Sequence, residues 1–407
     1  MSWKTVRIRA LDSLLFRDGR PFAAEPGALT ARSLPIPPPN TIAGFLRTLI
    51  GERKGLDWEY IAQERIYSEP LIRGPLSLLD EEFVLPAPAD ALVLPGSSEH
   101  NPPRVLRLAP DADPLREGEG CDIPEYHYGM RPLIPPTNEK LASGYSFWRW
   151  ADLEQWLLGK IPERLQRIAP PETESRTHVS IDSLTGTTDE GMLYTVEYRT
   201  YERLEERNGR LNRSEWSFVA RVRTEWNGEI AGVGTLGGER RLAYVEPYSR
   251  WLDCPETLKA SLENAPYVRM YLATPAVFEC GWRPGWIHKL NGDGKPRLEG
   301  SPPGAPEVTL QLVAAAVPRR TAISGWSLRH TTYGPKPVNW CVPAGSVYFF
   351  KVIKGDATLL AEKCWLEPVS DGKEQNGRTD NGDRAREAGF GLALWGVWNS
   401  NEGGNHA

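Results

Sequence analysis

Residues Glu387 to Trp398, reading Glu-Ala-Gly-Phe-Gly-Leu-Ala-Leu-Trp-Gly-Val-Trp, constrain the fold more tightly than any other stretch of the chain. Leu392 to Val397 is an apolar run of strand length with no helical charge pattern, and it predicts a buried central strand. Gly389 and Gly391 bracket an aromatic residue just before it. Lacking Cβ, both can take positive φ or let another backbone, or a phosphate, approach closely. A tight turn packed under a sheet satisfies the same residues, and glycine marks turns far more often than ligands.

The N-terminal part supplies matching pieces. Trp3 to Leu11 sets Val6, Ile8 and Ala10 against Arg7 and Arg9, the period-2 pattern of a strand with one wet face. It runs into Arg17-Asp18-Gly19-Arg20-Pro21-Phe22, a turn on which Arg17 and Arg20 suit an anion; an ion pair to Asp18 is their alternative use. Pro35 to Pro39 then delivers Asn40 as the N-cap of the clearest helix. Ile42, Phe45, Leu46, Leu49 and Ile50 share one face of it, and Gly51 sits where a C-terminal cap belongs. Gly44 inside this helix costs roughly 1 kcal/mol against alanine, which implies close packing there. Short apolar pieces from Glu69 to Leu94 read as a hairpin. Residues 95 to 145 are proline-rich and irregular, a length of loop that tends to be functional or interfacial. Phe147 to Leu158 reads as an amphipathic helix with Trp148, Leu153, Trp156 and Leu157 inward.

Arg176 to Asp182 and Gly191 to Glu197 predict two strands around a Gly/Thr/Asp turn, with Arg176 and His178 on the first. His178 raises general acid or base chemistry, but no second member of a His/His or His/Tyr/Lys set is evident nearby. Trp216 to Val222 is another strand. Gly232-Val-Gly-Thr-Leu-Gly237 matches the dinucleotide fingerprint formally, yet a further glycine, a charged triplet and Pro247 follow where a helix should open, so that reading is rejected. Gly237 and Gly238 beside Arg240 and Arg241 suit an RNA backbone or a subunit contact. Beyond Tyr267 to Phe278, Pro284 to Trp286 predicts a short helix. Leu310 to Val317, Pro343 to Phe350 and the C-terminal stretch then repeat the order of the first half. Ser370 to Glu387 is polar and charge-mixed, which predicts a mobile loop until something orders Arg384 and Arg386.

A chain of 407 residues exceeds the size at which single cores usually stop growing, so two domains are expected. No apolar run reaches the ~18 to 20 residues of a membrane span, and the N-terminus lacks a signal peptide's apolar segment; the expectation is a cytoplasmic protein without membrane contact. The five cysteines, Cys121, Cys254, Cys280, Cys341 and Cys364, never form a Cys-x-x-Cys pair. Neither a disulfide framework nor a metal site is signalled, and no cofactor motif emerges. The net charge of −5 argues against a free-standing nucleic-acid binder. Arginine nevertheless outnumbers lysine 36 to 12, and its planar fork suits phosphate contacts, although a hot habitat would produce the same bias.

Gly389-Phe-Gly-Leu at a C-terminal strand resembles the glycine-rich loop of the CRISPR-associated RAMP superfamily. Asp12 to Phe22, Pro37 to Thr48, Arg176 to Tyr194, and Ala322 to Trp326 with Pro343 to Phe350 are similar, in order, to the RAMP subunit of type III-B Cmr effector complexes that pairs with the large polymerase-like subunit. The resemblance implies an α+β protein of two tandem ferredoxin-like (RRM-like) domains with long loop and hairpin insertions, residues 1-245 and 246-407. It implies a non-catalytic scaffold that holds the 5′ tag of the CRISPR RNA, with the large subunit and the backbone RAMP subunit as partners. The residues it marks for RNA are Arg17, Arg20, Arg176, His178, Gly237, Gly238, Arg240, Arg241, Arg384, Arg386, Gly389 and Gly391. A RAMP-type endoribonuclease that processes repeat RNA is the alternative.

Overall fold

The computed structural model describes residues 2–20, 29–56, 70–96, 102–111, 122–207, 210–292, 295–327, 333–371 and 385–399 of the chain. The fold is mixed α+β and mostly strands, with five α-helices among the described residues. The first half contains β1 (Trp3–Ala10), β2 (Leu71–Leu79), β3 (Glu82–Pro86), β4 (Phe147–Arg149), β5 (Glu172–Ile181), β6 (Thr188–Thr200), β7 (Glu202–Arg207), β8 (Arg210–Arg223), β9 (Gly232–Thr235) and β10 (Leu242–Pro247). Eight of these form one sheet in the order β9-β10-β1-β8-β2-β3-β4, with β7 paired to β8. The hairpin β5–β6 forms a separate sheet with the two-residue strand Thr30–Ala31, and Arg199 of β6 is bridged to Leu14.

The second half contains β11 (Tyr267–Leu272), β12 (His288–Gly292), β13 (Lys295–Gly300), β14 (Thr309–Ala316), β15 (Val347–Lys354), β16 (Glu367–Pro368) and β17 (Leu392–Val397). They form a second sheet in the order β12-β13-β14-β15-β11-β17-β16. Every pairing in both sheets is antiparallel. The central quartets, β10-β1-β8-β2 and β17-β11-β15-β14, share one arrangement: fourth, first, third and second strand in chain order. Each quartet has one of its two crossovers filled by helix. In the first it is α1 (Pro39–Arg53), whereas the crossover from β8 to β10 is β9 and a single 3-10 turn at Gly238–Arg240. In the second, α4 (Thr358–Lys363) and α5 (Ala385–Ala388) precede β17, and the hairpin β12–β13 stands where the other helix would be. The remaining helices are α2 (Trp150–Leu157) and α3 (Glu256–Leu262).

Local chemistry explains where expectation and structure part. The apolar face of α1 is buried as its spacing requires. The helix begins one residue before Asn40, after extended Pro38 and without a side-chain cap. The Asn40 amide instead donates to the Ser324 carbonyl at 3.0 Å, on the other half of the chain. Gly51 does not end the helix. It is buried within it, and the chain leaves past Lys54 through Gly55 at φ 73°. A Cβ on Gly44 would meet nothing within 4 Å, so the close packing expected there is absent among the described residues. Phe147 to Arg149 extend the sheet beside β3, and α2 starts only at Trp150. Pro284 to Trp286 form a turn closed by the Ile287 N–H on the Pro284 carbonyl, not a helix. Gly232 to Thr235 pair with β10 as a strand, which disposes of the dinucleotide loop structurally.

The halves are packed together through shared apolar clusters: Trp148, Trp156 and Leu157 cluster with Phe349, Leu394 and Trp398, and the core around α1 takes in Ile323, Ala388 and Phe390. At the centre of the first, Asp90 and Arg269, both 0 % exposed, form an ion pair at 3.0 Å, and the Trp156 indole N–H donates to Asp90 at 2.8 Å. The C-terminal strand is buried as its composition predicts. Its glycine turn is packed under a sheet: a Cβ on Gly389 (φ 93°) would lie 2.6 Å from the Gly74 carbonyl oxygen in β2. The backbone of β2 approaches this glycine.

Candidate RNA interface

Period 2 along β5 places Glu174, Arg176 and His178 on one face of the projecting hairpin. Tyr198 pairs across from Glu174 on β6. The guanidinium groups of Arg176 and Arg241 both lie over the Tyr198 ring, 4.8 and 4.5 Å from its centroid. Arg241 reaches it because of the turn before β10. Gly237, at φ 81°, sits where any Cβ would strike the Leu15 carbonyl, and the Gly238 N–H donates to that same carbonyl at 2.8 Å. Glu239 and Arg240 follow at φ 56° and 51°. Two consecutive non-glycine residues in the left-handed region cost roughly 1–2 kcal/mol each. Their turn folds Arg241 back onto Tyr198 and leaves Arg240 exposed.

Carboxylates neutralise this cluster. Glu174 accepts hydrogen bonds from Arg176 Nε at 2.7 Å and Ser13 Oγ at 2.6 Å; these bonds, Arg176's first, hold its carboxyl below the usual range. Asp12 pairs with Arg241, and although burial pushes its carboxyl up, hydrogen bonds from Arg241 and the Ser13 N–H outweigh that. Glu239 accepts the Tyr198 hydroxyl and lies 3.8 Å from Arg241. Burial first, then Glu239, raises the Tyr198 phenol, which therefore stays neutral. Asp12, Glu174 and Glu239 against Arg176 and Arg241 is three negative charges to two positive. A phosphate arriving here must displace a carboxylate, so long-range attraction is weak.

The segment from Asp12 to Arg20 runs past this cluster. Asp12 and Ser13 touch it, Leu15 carries Gly237 and Gly238, and the Gly19 N–H donates to the Ala322 carbonyl of the second half at 3.0 Å. Arg17 and Arg20 are exposed, and the Asp18 pairing open at the sequence level is present: Arg20 Nε lies 3.3 Å from Asp18. The structure thus joins Arg176 with Arg241, sets Arg240 beside them, and places Arg17 and Arg20 farther along the adjoining segment.

Of the other marked residues, Arg386, Gly389 and Gly391 pack into the fold, whereas His178 is half-buried on the hairpin. His178 stacks on Tyr194 at 5.4 Å, and its Nε2 is buried without a hydrogen-bond partner among the described residues. Arg386 donates to the Ser370 carbonyl at 2.7 Å, and burial lowers its pKa. Gly391 is buried, with Ser370 Oγ 2.5 Å from the position of any Cβ. Gly389 faces Gly74, so both glycines of the C-terminal turn leave the surface set. Arg384 lies outside the described residues. Sequence reasoning missed Tyr198, Glu174, Glu239 and Asp12. The one legible signal was the alternation Glu174, Arg176, His178 along β5; which ring would receive the arginines depends on the register with β6.

The family model described as "CRISPR-associated protein (Cas_Cmr3)" matches residues 6–398. No curated protein matches the chain. It is similar to a chain of the "Cryo-EM structure of the Type III-B Cmr-beta bound to cognate target RNA and AMPPnP, state 1", at 16% identity and TM-score 0.43 over 85% of this chain and 86% of that one. The structure described as "Cryo-EM structure of the Type III-B Cmr-beta bound to cognate target RNA" gives 17% and 0.42 over the same shares. A chain of the "Csm3-Csm4 subcomplex in the type III-A CRISPR-Cas interference complex" gives 11% and 0.31 over 97% and 99%. With the family model spanning nearly the whole chain, as the motifs from Asp12 to Gly391 implied, this protein belongs to the CRISPR-associated Cas_Cmr3 family.

Proposed function

We propose that the chain is a non-catalytic, RNA-binding scaffold subunit of a type III-B CRISPR effector complex. In this reading it holds the 5′ tag of the CRISPR RNA in antiviral defence, docks on the large polymerase-like subunit and the backbone RAMP subunit, and works in the cytoplasm. The observation that carries the reading is the family match across residues 6–398. The geometry that supports it is the base of the β5–β6 hairpin, where Arg176 and Arg241 share Tyr198 and strained Arg240 is exposed at the surface. Arginines presented on an aromatic suit phosphate and base contacts. Tandem ferredoxin-like domains, residues 1-245 and 246-407, are the fold assignment supported by the identical strand order of the two quartets.

The non-catalytic part rests on His178. A general acid or base must reach its substrate, and this ring is stacked on Tyr194 with Nε2 turned inward. Purifying the tagged protein from its host tests the function. Small RNAs sharing one repeat-derived 5′ end, together with the large and backbone subunits, are the expected yield; RNAs with unrelated 5′ ends would contradict it. Cleavage of repeat RNA by the purified chain, abolished by His178→Ala, would establish the processing endonuclease instead.

A further inference from the structure

Among the described tryptophans only Trp326 and Trp340 are exposed, at 56% and 53%; the others pack against apolar neighbours or are at least half-covered. Both belong to one antiparallel ribbon, in which Thr321–Ile323 pairs with Asn339–Cys341 and Trp326–Ser327 with Gly334–Pro335. Tyr333, also exposed, meets Trp326 edge-on at 5.8 Å. The Arg320 guanidinium lies 4.2 Å over Trp340, and neither it nor exposed Arg319 makes an ion pair among the described residues. A cavity of about 520 Å³ adjoins Trp340, lined by Tyr126, Met130, Trp282, Arg320 and Val342 among others. That size is within the ~300–1,000 Å³ of small-ligand clefts.

Charge decides what such a surface takes. Aromatic and arginine side chains also enrich protein interfaces, so composition alone leaves protein and nucleic acid open. Along the ribbon from Arg319 to Cys341, however, the sequence holds no Asp or Glu, while it carries Arg319, Arg320, Arg329 and Lys336. In a chain with five more acidic than basic residues, that is a local reversal of sign. It is the opposite of the Tyr198 cluster, whose arginines are neutralised. The ribbon is also continuous with the Arg17–Arg20 loop, since Gly19 hydrogen-bonds Ala322, the residue paired with Trp340.

We propose that this ribbon is a stacking platform for unpaired nucleotides of an RNA strand, with bases on Trp340 and Trp326 and phosphates on Arg319 and Arg320. Indole faces accept any base, and unpaired arginines track the backbone, so the platform is sequence-tolerant. The proposal rests on the RNA-binding reading above but names a site apart from the hairpin base.

The test titrates a short single-stranded RNA lacking the tag into the full chain, following tryptophan fluorescence and affinity at fixed salt. Quenching is expected. Trp340→Ala and Trp326→Ala should each remove part of it and weaken binding roughly 5- to 150-fold, the span of one base stack. Trp340→Phe should retain most of the affinity. The Trp variants should keep the salt slope, whereas Arg319→Gln with Arg320→Gln should lower it by about 1.4. Bound RNA with unchanged fluorescence, and unchanged affinity in both alanine variants, would overturn the platform and leave the RNA-binding function standing. A fluorescence change caused by a partner subunit, with RNA silent, would overturn it in favour of a protein contact. No RNA binding by the wild-type chain or by its heterodimer with the large subunit would overturn both readings.

Discussion

Removing the Asp90 carboxylate should weaken the joint between the two halves more than any surface change. Asp90 and Arg269 come from opposite halves and are both fully buried; Asp90 also accepts the Trp156 indole N–H, and Arg269 Nε donates to the Val397 carbonyl of the C-terminal strand at 2.8 Å. Asp90→Ala leaves a guanidinium in the core with its charge uncompensated, a change that costs about 3–5 kcal/mol. If both halves unfold as one unit, an unfolding entropy of ~2.1 cal/mol/K per residue over this chain converts that to a Tm loss of roughly 3.5 to 6 °C. Were the second half to melt alone, the same energy over fewer residues would give a larger loss and a split transition. Calorimetry of wild type, Asp90→Ala and the double variant Asp90→Ala/Arg269→Met distinguishes these cases. The double variant should recover most of the loss, because two apolar groups leave no buried charge. A single variant within 1 °C of wild type, or a double variant no better than the single, would refute the reasoning.

Three further outcomes follow from other contacts. Gly389→Ala should destabilise the protein by about 1–3 kcal/mol, since φ 93° is strained for alanine and the new methyl meets the Gly74 carbonyl; an unchanged urea midpoint would contradict this. Leu46→Ala, wholly buried on α1, should cost about 2–5 kcal/mol in the same assay, and a loss under 1 kcal/mol would count against the core placement. Glu174 has a folded pKa below its unfolded value, so its contribution is present above the unfolded value near ~4.3 and is lost as pH falls through the lower folded one. Amide exchange across the β5–β6 hairpin should therefore quicken, relative to the central strands, as pH drops below that range, and a constant ratio would contradict the assignment.

Much of this architecture was legible because it is periodic. The single apolar face of α1 and the continuous apolar run of β17 each report one environment and are buried accordingly. In β1 the alternation puts Val6 and Ile8 in the core as expected, but Arg7 on the opposite face is buried as well, so the wet face is not there. Boundaries were less legible. Asn40 was a natural cap until a partner across the chain, the Ser324 carbonyl, gave its amide another use. Glycines were the least legible of all. Gly389, Gly237 and Gly44 look alike in sequence, yet the first receives the backbone of β2, the second receives that of Leu15, and the third faces open space. Which backbone visits a glycine is decided by tertiary contacts that no local pattern encodes. For the same reason the candidate interface was half visible: Arg176 and Arg241 stood out as arginines, whereas Tyr198 as their common support required the register of the hairpin, and Asp12 and Glu239 the tertiary contacts around it.

The proposed role of the hairpin base is tested most directly by titrating tagged and untagged CRISPR RNA, at one salt concentration, into the chain, into the large subunit and into their heterodimer. Each titration is repeated with Arg176→Gln and Arg241→Gln in the chain. Because three carboxylates already occupy those arginines, the lone chain should bind weakly, and the heterodimer should bind more tightly, above all to tagged RNA. Either substitution should weaken the heterodimer's binding of tagged RNA and lower its salt slope by about 0.7 to 1. Equal affinity for tagged and untagged RNA, undiminished in both variants, would contradict the account.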